Sequence, residues 1–217
     1  MTEPIELESE INGASTQAPG DETEDILEKV RKQFEFEPYP AIPVERTPQS
    51  PLDLYCHNYT TPYYLRYRQV KTSEQLTILD VGCGSGYTTL CLALANPGAR
   101  VMGVDISEKS VTLAKQRLAH QGLPEVEFQV LGMDQLGELG LQFDYINCDE
   151  VLYLLPDPAV GLQWMKSVLK PHGVIRANLH SSLQRQAYFR LQGIFQEIGL
   201  FQDNPEDPEM LTAVEFV

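Results

Sequence analysis

The sequence predicts an α/β domain, a mostly parallel twisted sheet flanked by helices, and three observations carry that prediction. Beyond Thr72, five short apolar runs alternate with stretches of helical periodicity, the pattern of βα units. The first run ends in three glycines at alternating positions, Gly82, Gly84 and Gly86, where a strand must turn tightly into a helix. The chain of 217 residues, 42% hydrophobic and 22% charged, has apolar material for one core with appendages rather than for two domains.

Taken in order, residues 1 to 20 are polar and acidic and cannot offset the entropy of ordering, so a disordered tail is expected. From Asp21, Ile26, Leu27, Val30 and Phe34 share one helical face, which predicts an amphipathic helix to Phe36. Six prolines from Pro38 to Pro62 then forbid long regular structure and leave a Tyr-rich extended arm, so residues 21 to 72 read as a helix with an arm or lid. Residues 73 to 217 form the α/β domain. Its strands are expected at 77–81, 100–104, 125–131, 143–148 and 174–179. Ser107 is the N-cap of a helix that turns Val111, Ala114 and Leu118 inward and stops before Gly122. Another helix carries Val160, Trp164, Val168 and Leu169 and is closed by a Pro171-His172-Gly173 turn. The last, at 183–198, points Ala187, Leu191, Ile194, Phe195 and Ile198 inward.

The 31 Asp and Glu against 16 Lys and Arg give a net charge of −15 that sits at the ends. Residues 1 to 37 hold 11 acids and 3 bases, and residues 201 to 217 hold 5 acids and no base. No basic stripe is available to neutralise phosphates, so no nucleic-acid partner is expected. A small molecule or a protein is the expected partner; nothing in the sequence sets the oligomeric state. Cys56, Cys83, Cys91 and Cys148 lack metal or disulfide spacing and read as reduced thiols. With no secretory leader and no apolar run of membrane-spanning length, no membrane partner is expected and the cytoplasm follows by default.

The chemistry concentrates in Ile78-Leu79-Asp80-Val81-Gly82-Cys83-Gly84-Ser85-Gly86-Tyr87. Glycines there let a ligand lie on the backbone, and free amides beside a helix N-terminus favour an anionic group; a plain strand-to-helix turn is the bland alternative. The second strand ends in Asp105, which in an open α/β sheet stands where it accepts from ribose hydroxyls. Two nucleoside ligands then compete, a dinucleotide and S-adenosylmethionine. The dinucleotide fingerprint Gly-x-Gly-x-x-Gly fits poorly, because Tyr87 follows Gly86 and would crowd the pyrophosphate. The acids Asp80, Asp105, Asp134 and Asp149 sit at separate strand ends with no clustered His, so no metal is expected.

These residues resemble the class I S-adenosylmethionine-dependent methyltransferases, whose glycine loop reads Asp-x-Gly-x-Gly-x-Gly, over roughly residues 76 to 180. More narrowly, Pro38-Tyr39-Pro40 and His57-Asn58-Tyr59 ahead of this core resemble uncharacterised bacterial methyltransferases, cyanobacterial ones included. The resemblance implies a Rossmann-like fold, S-adenosyl-L-methionine as cofactor and methyl transfer as activity. By it Asp80, Gly82, Cys83, Gly84 and Gly86 cradle the methionine part, Asp105 holds the ribose, and Ile106 packs on the adenine. Leu131-Gly132-Met133-Asp134 resembles the third motif, with Asp134 at the adenine amino group and Met133 covering the ring. The stretch 143–152 resembles the fourth and adds Asn147 and Asp149 to the cofactor set. No catalytic residue is assigned. Candidates for the acceptor are Tyr39, His57, Tyr63, Tyr64, Tyr153 and His180, each with a packing or capping alternative. The family sheet ends in a strand hairpin for which residues 200–217 are too few, so that hairpin is expected to be incomplete and the domain truncated. A non-catalytic cofactor-binding module and a nicotinamide oxidoreductase are the alternatives in function.

Overall fold

The computed structural model describes residues 21–199. The expected acidic tail and incomplete hairpin lie outside the described residues. Five strands, β1 (Thr77–Val81), β2 (Arg100–Asp105), β3 (Glu127–Val130), β4 (Phe143–Cys148) and β5 (Leu169–Ala177), form one sheet in the order β3-β2-β1-β4-β5. Every pairing is parallel. Helices α4 (Tyr87–Ala95), α5 (Glu108–His120) and α6 (Pro158–Ser167) make crossovers, and β3 returns across the sheet to β4 through a 3₁₀ helix at Met133–Leu139. The strand order therefore reverses between β1 and β4. In an open α/β sheet the crevice beyond the carboxyl ends at such a point is where ligands bind.

Because helices cover both faces, β1 is buried from Ile78 to Val81 without alternation. Leu79, Val81, Val104 and Ile146 face one core with Leu136, Met165 and Val168, while Ile78, Val101 and Tyr145 face a second with Leu76, Leu92 and Tyr59. Local signals place the ends of α5: Ser107 Oγ accepts from Ser110 N, and Gly122, at φ +76°, follows the last turn.

Where the structure departs from expectation, tertiary context is the cause. The Pro-rich segment contains two short helices, α2 (Pro51–His57) and α3 (Thr60–Tyr67). Pro51 opens α2 behind a Ser50 cap, and Pro62 sits in the first turn of α3, where a missing N–H costs no helical bond. Tyr59, between them, is wholly buried. Pro171-His172-Gly173 lies inside β5 at a register shift between Phe143 and Tyr145, an edge-strand irregularity in place of a turn. The inward face of α6 is Gly161, Met165 and Val168, with Trp164 only partly buried, because the side chains of Leu152 and Leu155 fill the space over Gly161. In α7 (Gln186–Glu197) no residue is buried, and Leu191, Ile194 and Ile198 are about half exposed, since no described element covers that face. Among the described residues no helix is long and apolar enough to cross a membrane.

Helix α1 (Asp21–Phe36) and the arm behind it are fastened to this frame by polar contacts. The Glu35 carboxylate accepts from Ser107 Oγ at 2.8 Å, and Lys109 Nζ donates to the Phe36 carbonyl at 2.7 Å. Arg117, wholly buried on α5, donates to the carbonyls of Ile42 (2.6 Å), Pro43 (2.8 Å) and Ser85 (2.8 Å). One guanidinium thus ties the arm to the glycine loop. Truncating it strands three carbonyls, two on the arm and one on the loop, and leaves a cavity. Arg117→Ala is expected to lower stability in denaturant unfolding by about 2–4 kcal/mol and to expose residues 39–45 to hydrogen exchange.

Candidate active site

A cavity of about 430 Å³ opens at the carboxyl ends of β1, β2 and β4, beneath Leu27, Val30 and Phe34 of α1. The amphipathic face of α1 covers this hollow. Gly82, Cys83, Gly84, Asp105, Ile106, Met133 and Asp149 line it, as do Tyr39 and His57 from the arm side. Other expected site residues fall elsewhere. Asp80, Asn147 and Gly86 lie behind the wall, and Asp134 is exposed outside it. Tyr63 stacks with Tyr59 and Tyr67 (centroids 5.2 and 4.7 Å apart) on α3, which packs on β5, where Tyr67 meets His172; Tyr64, on the same helix, is exposed. Tyr153 and His180 stand against each other, 4.4 Å between centroids, outside the lining.

The expectation that the glycine loop offers free amides is corrected. Gly82 N and Cys83 N donate to the Val104 carbonyl, Gly84 N to Asp105 Oδ2 at 2.8 Å, Ser85 N to the Tyr39 carbonyl at 2.9 Å, and Gly86 N to the Cys83 carbonyl. The molecule satisfies the loop itself, as buried backbone must be satisfied. What lies against the backbone at Gly84 is the arm: a Cβ there would stand 2.1 Å from the Tyr39 carbonyl oxygen. At Gly86 a Cβ would stand 2.7 Å from Ala114 Cα, so this glycine serves helix packing.

The cavity's charged side chains gather instead at its β4 and β5 end, where Arg176, which the sequence reading left out, joins the expected Asp149 and Asn147. Arg176 Nη1 donates to Asp149 Oδ2 and to Asn147 Oδ1, both at 2.6 Å. Asn147 Nδ2 donates to Asp80 Oδ1 at 2.8 Å, and Thr89 Oγ1 donates to Asp80 Oδ2 at 2.7 Å. On the other flank His57 Nε2 lies 3.3 Å from Asp149 Oδ2 and Nδ1 lies 2.5 Å from the Asp53 carbonyl. Both partners only accept, so the protonated ring suits them. Buried Asn96 fixes this histidine, donating to the His57 carbonyl and accepting from Tyr59 N.

The titration directions follow from these contacts. Burial would depress the pKa of His57, but the hydrogen bonds to Asp149 and to the Asp53 carbonyl outweigh it and raise the value. Burial opposes ionisation of Asp149, yet the hydrogen bonds from His57 and Arg176 hold it below the usual carboxylate range. Asp80 has no cation in contact, and burial raises it to about 6 against the pull of Thr89 and Asn147. Asp105 is raised by burial, partly offset by the amides of Ser107 and Gly84. Burial pushes the Cys83 thiol well up and that of Cys148 to about 12, which leaves both as protonated packing groups.

Glu150, also on the wall, adopts φ +59°, rare for a residue with a side chain, and its N–H donates to Asn178 Oδ1 at 2.7 Å. Strain of this kind collects at functional sites. Among the described residues no three metal-ligating side chains cluster.

A family profile described as a methyltransferase domain matches residues 72–207. The chain belongs to the methyltransferase-domain family. Its parallel sheet and glycine loop are those of the class I S-adenosylmethionine-dependent methyltransferases. The chain is 29% identical over 178 residues to an uncharacterized protein of a Synechococcus strain, covering 82% of this chain and 42% of that one. It is 34% identical over 111 residues to the ubiquinone biosynthesis O-methyltransferase of Paracidovorax citrulli, 51% of this chain and 44% of that one. This methyltransferase-domain chain thus spans less than half the length of either relative. Among solved structures, PKMT2 of Rickettsia typhi in complex with AdoHcy superposes with a TM-score of 0.53 at 25% identity, covering 73% of this chain and 32% of that one.

The pH dependence of stability should show the buried acid. The pKa of Asp80 is raised in the fold from 3.8 to about 6, so its contribution is fully present below the unfolded value and is lost as pH rises through the folded one. The loss amounts to about 3 kcal/mol. In urea unfolding, Asp80→Asn is expected to remove the decline between about pH 4 and 6. His57, also raised, adds a further decline above its unfolded value of 6.5, which His57→Gln should abolish.

Proposed function

We propose that the chain binds S-adenosylmethionine in this cavity and transfers its methyl group to a small-molecule acceptor, with α1 and the arm as its lid. The supporting observation is the match between the cavity's two ends and the two ends of that molecule. At β2, Ile106, Leu131 and Met133 make an apolar slot for the adenine, and Asp105 keeps a lone pair on each oxygen for ribose hydroxyls after accepting from Gly84 and Ser107. At β4 and β5, the Asp149 and Arg176 pair presents one charge of each sign to an aminocarboxylate. Asp80 and Asn147 act from behind by orienting that pair. Adenine contact falls to Met133 and Leu131 rather than to exposed Asp134.

When bound, the cofactor supplies a methyl already activated on a sulfonium. The protein's own work is then to align an acceptor and exclude water, and positioning of that kind accounts for most of the acceleration such a transfer needs. The roof of Leu27, Val30 and Phe34 excludes water. Relatives named ubiquinone biosynthesis O-methyltransferase support an oxygen acceptor for this chain too.

Calorimetry with S-adenosylhomocysteine tests the binding half, and transfer of labelled methyl into a metabolite extract tests the catalytic half. Asp105→Ala and Arg176→Met should each weaken binding by about 1–3 kcal/mol, the range for a hydrogen bond to a charged group. Heats from NADH with none from S-adenosylhomocysteine would overturn the proposal in favour of an oxidoreductase, and tight binding without transferred label would leave a binding module.

A further inference from the structure

The end of α3 and the segment after it carry a surface that the cavity does not use. From Tyr64 to Lys71, apolar and cationic side chains are interleaved: Tyr64, Leu65 and Val70 are 45%, 64% and 77% exposed, and Arg66, Arg68 and Lys71 stand exposed among them. A single exposed leucine needs no explanation, but three apolar groups set among three cations on one short stretch make a patch. Each cation lies near a tyrosine ring. Arg68 is 6.0 Å from the Tyr64 centroid, Arg66 is 5.9 Å from that of Tyr67, and Lys71 is 5.5 Å from that of Tyr63. The rings hold the charges in place before any partner arrives, which spares part of the entropy of ordering them. No acidic residue occurs between Asp53 and Glu74, and among the described residues none of the three cations forms an ion pair. In a chain of net charge −15 the patch is a local excess of positive charge.

A matching segment lies in the same chain. Residues 3–11, Glu3-Pro4-Ile5-Glu6-Leu7-Glu8-Ser9-Glu10-Ile11, interleave four glutamates with aliphatic side chains, and residues 1–20 contain no Lys or Arg. Segments of this composition bind where a surface supplies both counter-charge and apolar contact. The other acidic end, residues 201–217, separates the two kinds of group, with four of its five acids ahead of Met210 and its apolar run behind. Ten residues, 11–20, lie between Glu10 and the start of α1 at Asp21, enough to span about 33 Å when extended. We propose that residues 3–11 dock in cis on the Tyr64–Lys71 patch. Glu6, Glu8 and Glu10 pair with Arg66, Arg68 and Lys71, and Ile5 and Leu7 lie against Leu65 and Val70. Exposed ion pairs are individually weak, but a short tether keeps the segment at an effective concentration on the order of millimolar. The consequence falls on the roof of the cavity. Contacts at Glu35 and Phe36 fasten the C-terminal end of α1 to α5, and the docked segment anchors its N-terminal end.

Photocrosslinking in the full chain tests the contact, with p-benzoylphenylalanine in place of Val70 and adducts mapped by mass spectrometry. Isotope-labelled and unlabelled chains are mixed, so that adducts within one chain are told from adducts between copies. The expected result is adducts to residues 3–11 of the same chain. Arg66→Glu, Arg68→Glu and Lys71→Glu together should lower the adduct yield at least fivefold and raise hydrogen exchange of the roof, residues 26–34, at least fivefold. Adding Glu6→Lys, Glu8→Lys and Glu10→Lys to that variant should restore both readouts, which a merely misfolded triple variant could not do. The proposal is overturned by adducts that are absent or confined to other parts of the chain, and equally by adducts that join labelled to unlabelled chains, which would make a second copy the occupant. It is also overturned if charge reversal leaves the yield or the roof exchange unchanged, or if the complementary reversal fails to restore them.

Discussion

The buried guanidinium of Arg117, with the Tyr39 carbonyl resting over Gly84, sets the shape of everything around the site. A fully buried cation needs each of its donors engaged, and the carbonyls that engage it come from two segments far apart in the chain. Once the arm is held there, α1 is brought over the strand ends and its apolar stripe has a place to go. Without the arm, the glycine loop would face solvent and the hollow would have no roof. The same contact explains why Gly84 carries no side chain: the neighbour that forbids one is the chain's own backbone.

That contact also decides how charge is handled. With the loop's amides taken up internally, the cavity has no row of donors at β1, and its strong electrostatics lie at β4 and β5. Asp149 is the hub, ionised because Arg176 and His57 both approach it, and Asn147 relays the same guanidinium to Asp80. Asp80 is left as the one member of the relay without a cation in contact, which is why burial dominates its titration. Its two hydrogen bonds orient Asn147 and Thr89, so it shapes the site from behind the wall.

Much of the fold was legible because its signals are local. Strand β4 and strand β1 run where the apolar stretches run, and Ser107 and Gly122 bracket α5 through capping chemistry that needs no tertiary partner. The misreadings fell where neighbours decide. Pro51 and Pro62 look like breakers until their first-turn positions are known, and the apolar face of α7 looks inward until the structure shows no described element against it. In the site, Asp105 was legible because it ends a strand at the crevice, whereas Ile106 and Met133 came from the resemblance of their motifs. Arg176 was not, since an arginine inside an edge strand carries no motif; its partners had to be brought beside it.

The sequence by itself determined that five β runs end in a glycine loop, a carboxylate and an acidic motif on one side of a parallel sheet, because periodicity, glycine and capping act over a few residues. Only the tertiary structure decided which atoms those groups meet: that the loop's N–H groups go to Val104, Asp105, Tyr39 and Cys83, that Asp149 is charged by Arg176 and His57, and that Asp80 hydrogen-bonds Thr89 and Asn147 rather than a cation. The physical reason is that donors and acceptors are satisfied by whatever packing brings within about 3 Å, and that distance is a property of the folded chain.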